Sequence, residues 1–256
     1  MLPQCSVVIP VYNREDYITQ TVESVLEQSF SNFEILLIDD CSTDGSYNLL
    51  KELERKDNRI KVFKNEVNLG VAETRNKGVS LSRGRYIALL DSDDIWLKDK
   101  LKKQLDHIND KGCSLSYCSY GFIDRNGNDI GGVFQVPPYI DLSGLLKRNV
   151  ISCSTVLAER ELFERYPFNK DYYHEDLVEW INMLKECKIS YGYTGKLAKI
   201  RIMKGSKSGD KANAAKQRWL IYRDHMEMGL LASSFYFFNY ALFSAIKYRS
   251  IRKDLR

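Results

Sequence analysis

The chain has 256 residues, of which 44% are apolar and 28% charged, so it can build a sizeable core, and this composition excludes a disordered chain. Its net charge of +4 is unevenly placed: residues 196–256 hold 14 Lys and Arg against 4 Asp and Glu, whereas residues 1–195 hold 24 against 30. The six cysteines form no Cys-x-x-Cys pair, and the chain starts without the basic and then apolar pattern of a secretory signal. We therefore expect a reducing, cytosolic setting with the cysteines as core residues.

Short β-branched runs alternate with amphipathic segments along the first 110 residues. The predicted elements are strands at 6–11, 33–38, 60–63 and 86–90, and helices at 17–26, 47–53, 71–81 and 98–108. Because these strands are apolar on both faces and are separated by helix-length segments, we predict an α/β fold. Its sheet should be mostly parallel and covered by helices on both sides. Ligands of such sheets lie beyond the carboxyl ends of the strands.

Polar clusters follow three of these predicted strands, at residues 12–15, 39–46 and 91–94, and we expect them to converge on one crevice. The last cluster places Asp91, Asp93 and a third carboxylate within four residues. Hard divalent cations prefer oxygen ligands and are often held by one or two carboxylates together with substrate phosphates. The pattern therefore predicts a site for a metal-bound nucleotide diphosphate, although Asp-x-Asp also occurs on charged surface turns.

Further residues of the predicted crevice suit a nucleotide. The Asp40 carboxylate could accept the imide N–H of uracil while Tyr12 stacks on the ring, or Asp40 could cap a helix instead. Arg75 carries a permanent charge on a planar fork that matches phosphate or carbonyl oxygens, and its alternative is an ordinary arginine on a helix surface. Asp94 could bind the metal or cap the next turn.

Four segments and a later motif resemble the large inverting glycosyltransferase family with the GT-A fold, family 2. The segments are Val8-Ile9-Pro10-Val11-Tyr12-Asn13, Ile38-Asp39-Asp40-Cys41-Ser42-Thr43-Asp44-Gly45-Ser46, Asn68-Leu69-Gly70-Val71-Ala72-Glu73-Thr74-Arg75-Asn76 and Leu90-Asp91-Ser92-Asp93-Asp94. The motif His174-Glu175-Asp176-Leu177-Val178-Glu179-Trp180 is similar to the family's Glu-Asp motif followed by an aromatic residue. The resemblance is strong over residues 5–110 and loose over residues 111–165.

The resemblance implies a donor site for a UDP-sugar. In it, Pro10, Tyr12 and Asp40 line the uridine pocket. Arg75 reaches the base or the diphosphate, and Asp91 faces the ribose.

The resemblance also implies the catalytic groups. Asp93 would ligate Mn²⁺ or Mg²⁺, which neutralises charge on the leaving diphosphate, and Asp176 would take the proton from the attacking hydroxyl, with Glu175 as the second candidate base. The expected reaction is a direct displacement that inverts the anomeric carbon. The alternative for Glu175 and Asp176 is a charge pair that complements the dipole at the start of a helix.

The expected organisation is a nucleotide-sugar-binding half (1–110), an acceptor-binding half (111–210) and a basic, aromatic helical tail (211–256). Residues 229–246 contain no charged side chain and are followed by Lys247, Arg249 and further basic residues. This pattern favours a helix that lies in the membrane interface over one that spans the bilayer. The alternative is a helix packed on the catalytic domain or in a dimer.

The tail, with Ala214-Ala215-Lys216, Trp219 and Ile221-Tyr222-Arg223, is also similar to that of bacterial O-antigen and capsule glycosyltransferases. Those enzymes act on undecaprenyl-diphosphate-linked GlcNAc. The resulting hypothesis is an inverting enzyme that moves glucose or galactose from a UDP-sugar to such a lipid, peripherally on the cytoplasmic side of the inner membrane and without a nucleic-acid partner. Alternatives are a sugar nucleotidyltransferase, which should carry a Gly-rich basic loop where residues 12–15 stand, and a non-catalytic membrane adaptor.

Overall fold

The computed structural model describes residues 2–203 and 211–254. The described strands join in one ten-stranded sheet and are β1 (Cys5–Val11), β2 (Phe33–Asp39), β3 (Ile60–Lys64), β4 (Tyr86–Leu89), β5 (Ile95–Trp96), β6 (Leu115–Ile123), β7 (Asp129–Phe134), β8 (Tyr139–Asp141), β9 (Leu157–Glu159) and β10 (Ile189–Arg201). The α-helices are α1 (Ile18–Leu26), α2 (Ser46–Lys56), α3 (Val71–Leu81), α4 (Lys100–Lys111), α5 (Leu142–Lys147), α6 (Arg160–Arg165), α7 (Glu175–Cys187), α8 (Lys211–Leu220) and α9 (Leu230–Asp254).

The sheet is mostly parallel, as predicted, but it contains antiparallel strands that the sequence did not indicate. Its order is β3-β2-β1-β4-β9-β6-β10-β5, with β7 added beside β6 and β8 beside β10. Strands β3, β2, β1 and β4 run parallel, whereas β9 runs antiparallel to both of its neighbours, β4 and β6. Strand β9 therefore joins strands from the two halves of the chain into one sheet.

Side chains alternate between two apolar clusters, one on each face of the sheet. Ile9 of β1 packs on the side of Leu101 from α4, and Val8 packs on the opposite side, where Trp180 from α7 is buried. Helix α3 lies close to β1 because Gly78 has no side chain, since a Cβ there would stand 2.3 Å from Val8 Cγ1. This close packing holds the start of α3 near the carboxyl end of β1.

The elements of the first half agree with the sequence prediction. Helix α3 has the predicted bounds, and the strands β1 to β4 differ from prediction by one residue at most at either end. Strands β6 and β7 form a hairpin whose turn contains Gly127 at a φ of +88°, which glycine adopts without strain. The cysteines are free thiols in or against the core, as predicted, except Cys41, which stands in a turn at a φ of +61°.

The C-terminal helices pack on α5. Helix α8 continues into a π-helical segment (Ile221–His225) and, after a short turn, into α9. The buried Arg218 donates through Nη2 to the carbonyl oxygens of Leu145 and Leu146 in α5, at 3.0 and 2.9 Å, and the Tyr222 hydroxyl donates to Leu146 O at 2.6 Å. This packing is one of the two alternatives that the sequence left open.

Helix α9 nevertheless leaves an apolar stripe uncovered. Leu231, Phe235, Phe238 and Leu242 follow one another at helical spacing and are 50–89% exposed. Among the described residues no helix is long and apolar enough to cross a membrane. The side chains of the basic residues 247–253 and the predicted boundary at residue 210 lie outside the described part of the chain. Membrane contact stays a prediction.

Candidate active site

A cavity of about 660 Å³ opens at the carboxyl ends of β1, β2 and β4. It brings together all eight side chains that the sequence predicted for the donor and catalytic sites: Pro10, Tyr12, Asp40, Arg75, Asp91, Asp93, Glu175 and Asp176. The first six belong to the first half: Pro10 lies in β1, Arg75 lies on α3, and the other four follow β1, β2 or β4. The last two open helix α7 of the second half. The three polar clusters therefore converge, as parallel topology requires.

Asp40 is buried and fixes one wall of the cavity. Its Oδ1 accepts hydrogen bonds from Asn65 Nδ2 at 2.8 Å and Leu69 N at 2.9 Å, and its Oδ2 accepts one from Gly70 N at 2.9 Å. Gly70 has a φ of +84° and immediately precedes α3. Asp40 thus braces the loop that starts this helix, and Oδ2 still has a lone pair for another donor.

Arg75 is buried and connects the two halves of the site. Its Nη2 donates to Asp91 Oδ1 at 2.7 Å and its Nη1 donates to Glu175 Oε1 at 3.1 Å. The guanidinium also lies 5.3 Å from the centre of the Phe168 ring. The alternative of a surface arginine is wrong, and Arg75 sets the position of two carboxylates that line the cavity.

The three aspartates after β4 have different environments. All three line the cavity, but Asp94 is the most buried and accepts hydrogen bonds from Ser154 Oγ at 2.5 Å and from Arg201 N at 2.9 Å. Burial raises the pKa of Asp93, and the neighbouring Asp91 charge raises it further. Burial and repulsion from Asp93 raise the pKa of Asp94 well above its usual range. Asp94 therefore holds the loop, and the less buried carboxylates of Asp91 and Asp93 are the two that are open to a ligand.

The acidic loop fits a hard divalent cation. Asp91 and Asp93 bring two carboxylates to one wall of the cavity, and their mutual repulsion is the kind that a bound cation relieves. No group of three or more His, Cys, Asp and Glu side chains within residues 2–203 and 211–254 is arranged to hold a metal on its own. Both carboxylates have a positive side chain beside them: Arg75 Nη2 lies 2.7 Å from Asp91 Oδ1, and Arg14 Nε lies 3.4 Å from Asp93 Oδ2.

The two acidic residues at the start of α7 also differ. Glu175 is buried in the ion pair with Arg75. Burial raises the pKa of Asp176, repulsion from Glu175 raises it further, and His174 and Arg75 oppose the shift. Asp176 accepts a hydrogen bond from its neighbour Leu177 N at 2.7 Å. A carboxylate with a raised pKa that lines a cavity has the properties of a general base.

Arg201, at the end of β10, is a site residue that sequence reasoning missed. Its Nε donates to Asp93 O at 2.7 Å, its backbone N–H to Asp94, and its Nη2 to Gln20 Oε1 at 2.7 Å. It also donates through Nη1 to the β6–β7 hairpin at Asp124 O. No motif marks this residue, because its role depends on where β10 ends in the sheet.

Comparison with known proteins decides the family. Residues 6–166 match the sequence model of the family described as glycosyl transferase family 2. The chain belongs to glycosyl transferase family 2. The match extends past residue 110 into the segment whose motifs resemble the family only loosely, and it favours the transferase hypothesis over a sugar nucleotidyltransferase.

Two relatives cover nearly the whole family 2 chain, including its tail. TuaG of Bacillus subtilis, a glycosyltransferase assigned by its name to teichuronic acid biosynthesis, is 37% identical over 96% of this chain and 98% of its own length. WfgD of Escherichia coli, a UDP-Glc:α-D-GlcNAc-diphosphoundecaprenol β-1,3-glucosyltransferase, is 37% identical over 95% of this chain and 94% of its own.

Solved structures share the fold of this family 2 glycosyltransferase. Staphylococcus aureus TarS in complex with UDP-GlcNAc superposes with a TM-score of 0.70 at 21% identity, over 86% of this chain and 67% of that one. The mannosyltransferase PcManGT of Pyrobaculum calidifontis, in complex with GDP-Man and Mn²⁺, superposes with a TM-score of 0.72 at 16% identity, over 93% of this chain and 70% of that one. The predicted GT-A-like α/β fold is therefore confirmed.

Proposed function

We propose that this glycosyltransferase moves glucose or galactose from a UDP-sugar to GlcNAc-diphosphoundecaprenol or a closely similar lipid-linked acceptor, in O-antigen or capsule polysaccharide synthesis. The observation that carries the proposal is the cavity in which the donor-side residues meet the carboxylates of α7. The name of the relative WfgD supports this donor class and this acceptor. Residues 1–110 would bind the donor and residues 111–210 the acceptor.

The donor would lie along the carboxyl ends of β1, β2 and β4. Tyr12 and Pro10 offer a surface for the uracil ring, and Asp40, fixed by three hydrogen bonds, offers Oδ2 to the imide N–H. Asp91 faces the ribose, and its bond from Arg75 fixes its orientation. Asp93 would hold Mn²⁺ or Mg²⁺, which when bound stabilises the negative charge of the departing diphosphate.

The acceptor hydroxyl would lose its proton to Asp176 as its oxygen attacks the anomeric carbon on the face opposite the nucleotide, which inverts the configuration. The raised pKa of Asp176 increases its affinity for that proton. Glu175 acts through Arg75, since their ion pair joins α7 to Asp91 and so sets the distance between base and donor.

Peripheral attachment to the cytoplasmic face of the inner membrane completes the proposal. The exposed stripe of α9, formed by Leu231, Phe235, Phe238 and Leu242, offers apolar side chains to lipid, and the basic residues that follow suit anionic headgroups. An enzyme whose acceptor is a membrane lipid gains from such attachment, because the acceptor is confined to that surface.

A donor screen tests the proposal. UDP-glucose, UDP-galactose and GDP-mannose are each offered with GlcNAc-diphosphate on a short lipid, with Mn²⁺ or with EDTA. Transfer is expected from one UDP-hexose, only with metal. It should be lost in Asp93→Ala and kept in Asp106→Ala, which removes an exposed carboxylate of α4. Transfer from GDP-mannose alone would refute the uridine site, and near-normal turnover of Asp93→Ala in EDTA would refute the metal. No transfer from any donor would favour the adaptor alternative.

A further inference from the structure

Arg14 lies against the carboxylate that the proposed function assigns to the metal. Its Nε stands 3.4 Å from Asp93 Oδ2, and it lines the same cavity with its side chain 34% exposed. Its Nη1 donates to the carbonyl oxygens of Asn13 and Tyr12, at 2.8 and 3.3 Å. The guanidinium therefore bridges the loop after β1 and the acidic loop after β4.

The backbone that carries Arg14 is held firmly. Asn13, at a φ of +52°, accepts a hydrogen bond from Thr43 N at 2.8 Å, and Arg14 N donates to Ser46 Oγ at 2.7 Å. The next residue, Glu15, accepts from Gly45 N at 2.7 Å. The loop is thus tied to the start of α2 on both sides of Arg14. Its backbone cannot shift easily, and any movement of the guanidinium must come from its side-chain rotamers.

The Arg14 contact is looser than the other arginine contacts of the cavity. Arg75 and Arg201 are buried, and each makes a hydrogen bond of 2.7 Å, to Asp91 Oδ1 and to Asp93 O respectively. Within the described part of the chain, Arg14 Nε has no hydrogen-bond partner, so its approach to Asp93 is a charge contact without a well-aligned N–H···O bond. Such a contact can be exchanged for another at small cost, whereas the bonds of Arg75 and Arg201 cannot.

We propose that Arg14 is the resident counter-cation of Asp93 in the metal-free protein, that it competes with the divalent cation for this carboxylate, and that it also attracts the donor diphosphate. The inference rests on the proposed function, which brings a metal and a diphosphate to this wall. A guanidinium beside Asp93 neutralises the loop while no metal is bound and repels an incoming cation. The planar fork matches phosphate oxygens, which would draw Arg14 toward the diphosphate when the metal takes Asp93.

The test compares Arg14→Gln with Arg125→Gln, which removes the same charge from the exposed tip of the β6–β7 hairpin. The first measurement is binding of Mn²⁺ alone, followed by loss of the free-ion EPR signal. The second is calorimetric binding of UDP in EDTA. Arg14→Gln is expected to tighten Mn²⁺ binding and to weaken metal-free UDP binding, each by about 2- to 10-fold, the range of a partly exposed charge pair. Arg125→Gln should change neither.

Unchanged or weaker Mn²⁺ binding in Arg14→Gln would overturn the competition, and unchanged UDP binding would overturn the contact with the diphosphate. Either result, with a wild-type protein that binds both ligands, leaves the proposed function intact. A wild-type protein that binds neither Mn²⁺ nor UDP would refute the proposed function itself. Arg14→Lys keeps the charge without the fork and should bind Mn²⁺ as the wild type does, so tighter binding there would assign the effect to packing.

Discussion

At the scale of single residues, identical carboxyl groups in this cavity acquire different properties from their neighbours. Asp93, Asp94, Glu175 and Asp176 all line the cavity, but Asp94 accepts hydrogen bonds from Ser154 and Arg201, and Glu175 accepts one from Arg75. Asp93 instead has a looser charge contact with Arg14, and Asp176 accepts a hydrogen bond from the backbone of Leu177. Bonding partners decide which carboxylates support the fold and which remain for chemistry. The proposed roles of metal ligand and base follow from that difference.

The first prediction separates the two acidic residues of α7. Asp176→Asn keeps the shape but removes the proton affinity, so kcat should fall by ~10²–10⁴ while UDP affinity stays the same. Glu175→Gln weakens the ion pair with Arg75 and should lower kcat less, with some loss of UDP affinity through Asp91. Steady-state kinetics and calorimetry measure both quantities. The reverse order of kcat losses would give the base role to Glu175.

The second prediction concerns Glu179, which is buried in α7 without a hydrogen-bond partner among the described residues. Burial raises its pKa to about 9. Because the pKa is higher in the folded than in the unfolded chain, its contribution to stability is complete below about pH 4.5 and is lost as the pH rises toward 9. Glu179→Gln should therefore raise Tm at pH 8 by several degrees, roughly 2–4 °C per kcal/mol, and little at pH 5. An equal change at both pH values would contradict the shift.

At the scale of elements, helix α7 contacts the C-terminal segments at its start and again in its second half. His174 Nε2 lies 3.1 Å from Ala214 O in α8, and His225 Nε2 lies 2.9 Å from Asn182 Oδ1. The His225 ring also meets Tyr172 edge to face at 5.4 Å between ring centres. The helix that presents Asp176 is therefore positioned partly by the tail, so the first part of the tail belongs to the catalytic unit.

The third prediction follows from the first of these contacts. His174 lowers the pKa of Asp176, opposing burial and Glu175, so His174→Ala should raise that pKa. A base must be deprotonated to act, hence the acidic limb of the kcat profile should move to higher pH in the variant. Turnover measured across pH 5–9, with UDP affinity as the control for the donor site, tests this expectation. A limb that stays in place would mean that His174 has a packing role alone.

Much of the first half could be predicted because its periodicity is local. The apolar runs of β1 to β4 and the amphipathic pattern of α3 lie within short windows of sequence, and the motifs around Asp40 and Asp93 stand at strand ends. The antiparallel strand β9 has three residues and no turn signal, so no window indicates it. The roles of Arg201 and Arg14 depend on contacts with loops distant in sequence, which only the folded sheet brings together.

At the scale of the whole molecule, an excess of basic residues and an exposed apolar stripe occur together in the C-terminal quarter. The C-terminal quarter holds 14 Lys and Arg against 4 Asp and Glu, and α9 exposes its apolar stripe in that same quarter. The cavity lies at the carboxyl edge of the sheet, and α8 contacts its wall through His174. An enzyme built this way could hold its active site close to a lipid-borne acceptor while the remaining surface stays in water.

The fourth prediction tests the stripe without removing the packed face of α9. The double variant Phe235→Ser with Phe238→Ser makes two exposed side chains polar, and it should reduce sedimentation with anionic liposomes about tenfold or more, since burial of each ring in lipid is lost. Transfer to a short soluble acceptor should be unchanged. Phe237→Ser, on the packed side, should instead lower Tm. Unaltered liposome binding of the double variant would contradict attachment through the stripe.

The structure of the reaction product tests the central proposal most directly. The protein is incubated with Mn²⁺, a UDP-hexose and GlcNAc-diphosphate on a short lipid, and the product is analysed by mass spectrometry and by the anomeric proton coupling in NMR. The expected product carries one added hexose in the β configuration, because displacement with Asp176 as base inverts the α-linked donor. An α-linked hexose, or no lipid-linked product from UDP-glucose or UDP-galactose, would contradict the proposed reaction.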